Sequence, residues 1–299
     1  MMTAPRAPLT LVVLTFNEER NLAACLESVA GLAAATVVVD SGSTDRTTAI
    51  ADEYGARVLH HPFETHARQW QWALENASIA TDWVLALDAD QRLTPELQRE
   101  IASRLPEPGD VAGFFLNRRQ IFRGRWIRHG GYYPKYLLKL FRRTAVSIDD
   151  SELVDHHFHV AGRTETLRFD MIEDNRNESS IAGWTARHNR YATLQARQEV
   201  LRDRATPAAP MPAADSPDGR TRRLKRVWAR LPLFVRPCFY VFYRYVIRLG
   251  FLDGKEGFIF HVLQGFWYRL LVDINIDELR ARPAAVREDA PREVKLPIR

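Results

Sequence analysis

Two carboxylates one residue apart, Asp88-Ala-Asp90, follow directly on the apolar run Trp83-Val-Leu-Ala-Leu87. A loop at the end of a buried strand carries both acids into the crevice beyond the sheet. Hard oxygen donors so placed suit Mg2+ or Mn2+ and leave coordination positions for phosphate oxygens. Such a cation would offset charge as a diphosphate departs. Asp-x-Asp also occurs in solvated turns, so its neighbours decide. Thr15-Phe-Asn17-Glu18-Glu19 and Asp40-Ser-Gly-Ser-Thr44-Asp45 close two other apolar runs. They offer the acceptors that a nucleoside base and ribose require, beside a small turn that lets backbone approach. No Gly-x-Gly-x-x-Gly follows the first strand, and Gly-x-x-x-x-Gly-Lys occurs nowhere. Dinucleotide oxidoreductase and P-loop chemistry therefore have little support.

The elements that must hold these residues alternate in type. Apolar, β-rich runs at Leu9–Thr15, Thr36–Asp40, Ala56–His60 and Trp83–Asp88 read as strands. Between them, Leu22, Leu26 and Val29 share one helical face, Arg46 opens a helix, and Thr65–Ala77 has Trp70, Ala73 and Leu74 on one side. Thr94-Pro95-Glu96 is a helix start with proline in the first turn. Strands alternating with helices of this length predict βαβ units and a parallel sheet. Gly113-Phe-Phe-Leu116 and Tyr136–Phe141 read as further strands around a basic, aromatic loop, Arg123–Pro134, and Trp184–Arg204 as a long polar helix. The fold class expected is α/β with a mostly parallel central sheet.

At 299 residues, 46% hydrophobic and 26% charged, the chain has the balance of a globular protein of one or two domains, which excludes wholesale disorder and collagen-like repeats. Cys25 and Cys238 fit no metal spacing and read as two free thiols in a reducing compartment. Lys plus Arg exceeds Asp plus Glu by only five, too little to imply nucleic acid as a partner. The start reads as a first strand rather than a secretory signal. The stretch Gly257–Tyr268, free of charged residues, is too short to span a bilayer, which needs about 20 apolar residues.

Taken together, Leu-Thr-Phe-Asn-Glu-Glu, Val-Val-Val-Asp-Ser-Gly-Ser-Thr-Asp and Leu-Asp-Ala-Asp resemble the inverting family 2 glycosyltransferases of GT-A fold (nucleotide-diphospho-sugar transferase, Rossmann-like). The nearest branch is that of lipopolysaccharide-core β-glucosyltransferases and related envelope polysaccharide enzymes. The resemblance covers roughly residues 9–200. It implies that Thr15, Asn17, Glu18 and Asp40 contact the uridine of a UDP-sugar. Asp88 would support ribose or metal, Asp90 would be the direct metal ligand, and Arg68 or Gln69 would reach phosphate or base. The Trp126–Pro134 segment resembles an acceptor-side loop whose glycines give mobility and whose aromatics offer platforms for a sugar ring. Against that stands a hairpin turn with buried tyrosines. Arg187 or Arg190 on the Trp184 helix would meet diphosphate, unless that helix face is simply solvated.

Inversion requires a general base on the acceptor side. The branch places a Glu in a short motif after a Leu-Phe-Arg-Arg strand. Here Leu140-Phe-Arg-Arg143 is followed by Val154-Asp155-His156-His157, with His156 at the Glu position and Glu152 upstream. Asp155 is taken as base, with His156 second and Glu152 next. Zinc held by His156, His157 and His159 lacks a cysteine or fourth ligand nearby.

The expected domains are a catalytic region 1–205 (donor half about 1–110, acceptor half about 111–205), a linker 206–219 with four prolines, and a helical C-terminal region 220–299. Residues 220–248 carry nine Arg or Lys and no acid, and 228–268 hold 13 of the chain's 31 aromatic residues. Arginines interleaved with Phe, Trp and Leu predict peripheral association with the cytoplasmic face of the inner membrane through anionic lipid. Burial against the catalytic domain or a second copy of the chain is the alternative. The function expected is hexose transfer from a nucleotide-diphosphate sugar to a lipid-linked or cell-envelope glycan. A polyprenyl-phosphate sugar transferase and a non-catalytic sugar-nucleotide binding module are the rivals, the latter kept alive by the missing Glu.

Overall fold

The computed structural model describes residues 7–148, 157–178, 180–204, 228 and 231–281. They fall into two compact units, one comprising 7–126 and 133–178, the other 127–132 and 180–281.

In the first unit β1 (Ala7–Thr15) is the axis of the sheet. Its Leu9, Leu11, Val12 and Val13 are all fully buried, as a strand covered on both faces requires. Leu9, Leu11 and Val13 point into one core with α1 (Leu22–Glu27) and α4 (Pro95–Arg104), while Val12 points into the other with Trp70 and Ala73 of α3 (His66–Asn76). That is the two-residue alternation of a strand serving two layers. Helix α2 (Thr47–Glu53) adds Ile50 and Ala51 to the first core. β2 (Ala33–Asp40), β3 (Arg57–His60) and β4 (Trp83–Asp88) complete a parallel quartet in the order β3-β2-β1-β4.

Beyond β4 the sheet becomes mixed. β8 (Tyr136–Arg142) runs antiparallel to β4 and to β6 (Val111–Phe122). β11 (Arg163–Glu173) lies parallel to β6 and antiparallel to β5 (Gln91–Leu93), with β7 (Arg125–Trp126) paired on β6. β9 (Val146–Ile148) and β10 (Phe158–Val160) form a separate pair. The register does the positioning: Thr15 lies opposite Asp40, Asp40 opposite His60, and Leu14 opposite Asp88. Four strand ends, those of β1, β2, β3 and β4, are thereby level on one rim.

In the second unit α5 (Ile181–Arg204) packs Ala192 and Ala196 against Tyr268, Val272 and Ile276 of α8 (Tyr268–Ala281). Between them in sequence lie α6 (Arg236–Phe242), a π-helical turn at Tyr243–Ile247, a tight turn at Gly250–Asp253, α7 (Gly254–Phe260) and a second π-helical stretch, His261–Trp267. Buried Arg236 donates to Asp273 (2.6 Å) and Glu199 (3.0 Å), and the Asp273 carboxylate also accepts the Phe234 N–H. Among the described residues no helix is long and apolar enough to cross a membrane.

The 127–132 segment belongs to this unit, and close packing explains its Gly130. Gly130 has φ 69°, and a Cβ there would stand 2.0 Å from Cε1 of buried His261. Glycine is needed for close approach and for the left-handed backbone. The segment is clamped around it. His129 donates its N–H to Asp253 (2.8 Å), Arg244 donates to the Gly130 carbonyl (2.7 Å), and the Arg244 guanidinium lies over Tyr132 at 4.3 Å.

Candidate functional site: the carboxylate rim of the first unit

The turn after β2 is built around Asp40, 1% exposed. Its carboxylate accepts from Thr15 Oγ1 (3.0 Å), the N–H groups of Gly42 (3.0 Å) and Ser43 (2.8 Å), and Ser43 Oγ (2.5 Å). Small residues at 42 and 43 let the backbone fold onto the acid, with Gly42 at φ 92°. Asn17, itself left-handed at φ 54°, ties the β1 exit to the same turn: its N–H donates to Ser43 Oγ (2.8 Å) and its Oδ1 accepts from the Thr44 N–H (2.8 Å). Thr15, Asn17 and Asp40 thus form one hydrogen-bonded cradle of polar backbone and side chains.

Glu18 lies beside it. Its carboxylate accepts from Asn21 Nδ2 (2.7 Å) and Asn177 Nδ2 (3.0 Å), and Asn177 also donates to the Asn17 carbonyl. Gln69, buried on α3, reaches the rim, donating to Ser41 Oγ and the His61 carbonyl at 3.1 Å each. His61 stacks on Trp72 with ring centroids 4.3 Å apart. Arg68, in contrast, pairs with Glu64 at the exposed start of α3.

The Asp88-Ala-Asp90 turn is the electrostatic centre. Asp88 pairs with Lys139 of β8 at 2.8 Å, the lysine being only 5% exposed. The Asp88 N–H donates to Gln91 Oε1, and Gln91 Nε2 donates to Glu173 of β11 (2.8 Å), which Arg118 of β6 also holds at 3.0 Å. Burial, then the charges of Glu173, Asp88, Glu18 and Glu178, push the Asp90 carboxyl well above the usual carboxylate range. The same burial and the Asp90 and Asp88 charges push the Cys25 thiol up, which leaves it unreactive.

The donor set fits a divalent cation of the hard kind: Glu18, Asp88, Glu173 and Glu178 lie around the half-buried Asp90, with Lys139 and Arg118 answering Asp88 and Glu173, and Arg92 and Arg176 paired with Asp174. Among the described residues no three His, Cys, Asp or Glu side chains converge to hold a metal by themselves. One or two carboxylates supplemented by phosphate oxygens and water is the usual Mg2+ arrangement.

The structure therefore brings together Thr15, Asn17, Glu18, Asp40, Gln69, Asp88 and Asp90. It adds Lys139, Arg118, Glu173 and Asn177, which the sequence reading did not single out. Lys139 did carry a signal: a lone lysine inside Tyr136-Leu-Leu-Lys-Leu-Phe must be paired if that strand is buried. Glu173 and Asn177 carried none. Glu152, Asp155 and His156 lie outside the described residues. His159 sits on β10. Arg187 and Arg190 sit on α5 in the second unit.

An α/β sheet with a polar rim at the carboxyl ends of its parallel strands has its ligand crevice at that rim. The glycosyl transferase family 2 model matches residues 10–168, which span all of these rim residues except Glu173 at the end of β11 and Asn177 after it. The chain is 31% identical over 206 residues to the lipopolysaccharide core biosynthesis glycosyltransferase LpsC of Rhizobium meliloti (strain 1021), covering 66% of this chain and 73% of that protein. It is 39% identical over 89 residues to an uncharacterized glycosyltransferase of Rickettsia felis, covering 30% of this chain and 31% of that one. Glucosyl-3-phosphoglycerate synthase of Mycobacterium tuberculosis, solved with Mn2+, uridine diphosphate and glucosyl-3-phosphoglycerate, aligns at 24% identity with a TM-score of 0.31. That alignment covers 40% of this chain and 45% of that one. The chain thus spans under half of the synthase and under a third of the Rickettsia protein. The protein belongs to glycosyl transferase family 2 and has the GT-A fold.

Proposed function

We propose that this protein transfers a hexose from a UDP-sugar to a lipid-linked or cell-envelope glycan with inversion at the anomeric carbon. The observation that carries the reading is Asp90, half-buried among four carboxylates just past the end of β4, on the same rim as the Asp40 cradle. The similarity to LpsC supports an acceptor of the lipopolysaccharide kind. Thr15, Asn17 and Asp40 would receive the uridine, exchanging some of their present mutual hydrogen bonds for bonds to base and ribose. Asp90, with Asp88 behind it, would hold Mg2+ or Mn2+, whose chemistry when bound is to offset charge on the diphosphate. Lys139 pairs with Asp88 at 2.8 Å and orients it. On the acceptor side Asp155 would take the hydroxyl proton, with His156 and then Glu152 as the next candidates.

The test is calorimetric titration of UDP with and without Mn2+. Metal-dependent UDP affinity that disappears in Asp90→Asn is the expected result; UDP affinity indifferent to Mn2+ overturns the reading. For the base, Asp155→Asn should lower transfer while UDP binding persists. A dead His156→Ala beside a near-normal Asp155→Asn would move the role to the histidine.

A further inference from the structure

Thirteen large apolar side chains are exposed among the described residues, and eleven of them lie between Phe234 and Phe258. Phe239, Phe242, Ile247, Leu252 and Phe258 are each at least half exposed. Scattered singly, such residues need no explanation; gathered on one short stretch, they mark a surface that something covers. The stretch is α6, its π-helical turn, the tight turn and α7, none long enough to cross a bilayer.

Its charges decide the occupant. Arg248 and Lys255 are exposed on this stretch, whereas Asp253 is buried under His129 and Glu256 is only partly exposed. The sequence preceding it, 220–230, holds six further basic residues and no acid. A second copy of the chain meeting this face across a two-fold axis would oppose like charges, because an isologous interface sets a patch against itself. An anionic lipid surface opposes none of them. Aromatic and branched side chains enter the headgroup boundary while Arg and Lys stay at phosphate level.

The face is also braced from within the unit. Arg244 lies over Tyr132 at 4.3 Å and Tyr240 at 4.7 Å, and Tyr132 meets Phe260 edge to face at 4.7 Å. Bracing of this kind keeps the apolar side chains presented rather than collapsed inward. We propose that the Phe234–Phe258 face docks this protein on an anionic phospholipid surface. The 127–132 segment, clamped to the same elements, is then held beside that surface.

Flotation of the full chain with phosphatidylglycerol-containing vesicles, against pure phosphatidylcholine vesicles, tests this without reference to transfer activity. Failure here leaves the donor-site reading untouched, since UDP titration measures that separately. Phe239→Ser, Phe242→Ser and Ile247→Ser together should lower partitioning about a thousandfold, each buried apolar side chain being worth about tenfold. Arg248→Gln with Lys255→Gln should lower it about thirtyfold on anionic vesicles only, at about fivefold per basic residue near the surface, with the difference vanishing in high salt. Since all five side chains are exposed, an unchanged melting temperature verifies that the variants fold. Undiminished flotation of the triple variant, or equal binding of the parent to both vesicle types, overturns the proposal. So does light scattering that shows the triple variant splitting a dimer while flotation is retained.

Discussion

The two units handle charge in opposite ways. In the first, acids gather at the strand ends and nearly every one is answered: Asp40 by Thr15 and the 42–43 amides, Asp88 by Lys139, Glu173 by Arg118 and Gln91. Asp90 is the exception, crowded by like charge. In the second unit the guanidinium groups of Arg244 and Arg269 lie over aromatic rings, and apolar side chains stay in solvent. One region carries a negative excess in a buried crevice, the other an apolar face with basic side chains on its surface. The first is suited to a small cation and a nucleotide, the second to an extended anionic surface.

The largest expected effect falls on that one exception. Asp90→Asn should reduce transfer by about three orders of magnitude, the scale associated with losing a preorganised charge at a reacting diphosphate. Its thermal stability should stay level or rise, because an amide removes like-charge repulsion from a half-buried position. Activity assays paired with thermal melts check both halves. A variant that loses stability and activity together would make Asp90 a structural acid and erase the contrast between the units.

Next in size is Lys139→Met, which removes the Lys139 cation from Asp88, next to Asp90. Because Asp88 is partly solvated, the loss should be about 1–2 kcal/mol in urea unfolding, below the figure for a fully buried pair. The negative excess grows, so Mn2+ should raise the melting temperature of this variant more than that of the parent. An equal rise in both would show that Lys139 does not tune the carboxylate cluster.

The donor half of the first unit was legible in the sequence for a physical reason. Trp83–Asp88 is a strand in both readings, and the helix expected over Thr65–Ala77 is found at His66–Asn76. These elements bury both sides of a parallel sheet, so their apolar runs are long and end abruptly at polar turns. Thr65 and Thr94 cap α3 and α4, accepting the N–H of Arg68 and of Leu97. Glu173 and Asn177 were not legible, since they reach the rim only through the pairing of β11 with β6 and β5, with partners such as Gln91 and Glu18 far off in sequence. The π-helical turns were also hidden: Phe239–Val246 has ordinary helical periodicity, and the wider turn shows only in the backbone hydrogen bonds.

The smallest effect distinguishes the units by pH. His188 and His261 both lie in the second unit, and burial lowers each to about 4. For His261 the Arg244 charge adds to the lowering and Asp253 opposes it; for His188 a bond to the Trp184 carbonyl opposes it. Unfolded, each histidine takes up its proton near pH 6.5. Between that value and about 4 the unfolded chain binds more protons than the folded one, so stability is full above pH 6.5 and declines as pH falls. The decline should be on the order of 1 kcal/mol per histidine by pH 5. Hydrogen exchange at pH 7 and pH 5 should show protection falling first in α5, which carries His188, and around His261, while β1 and β2 hold. His261→Asn, smaller than histidine and so compatible with Gly130 and Gly250, should flatten the slope around its own site and leave that of α5. An unchanged slope at both sites would assign the acid sensitivity to other groups.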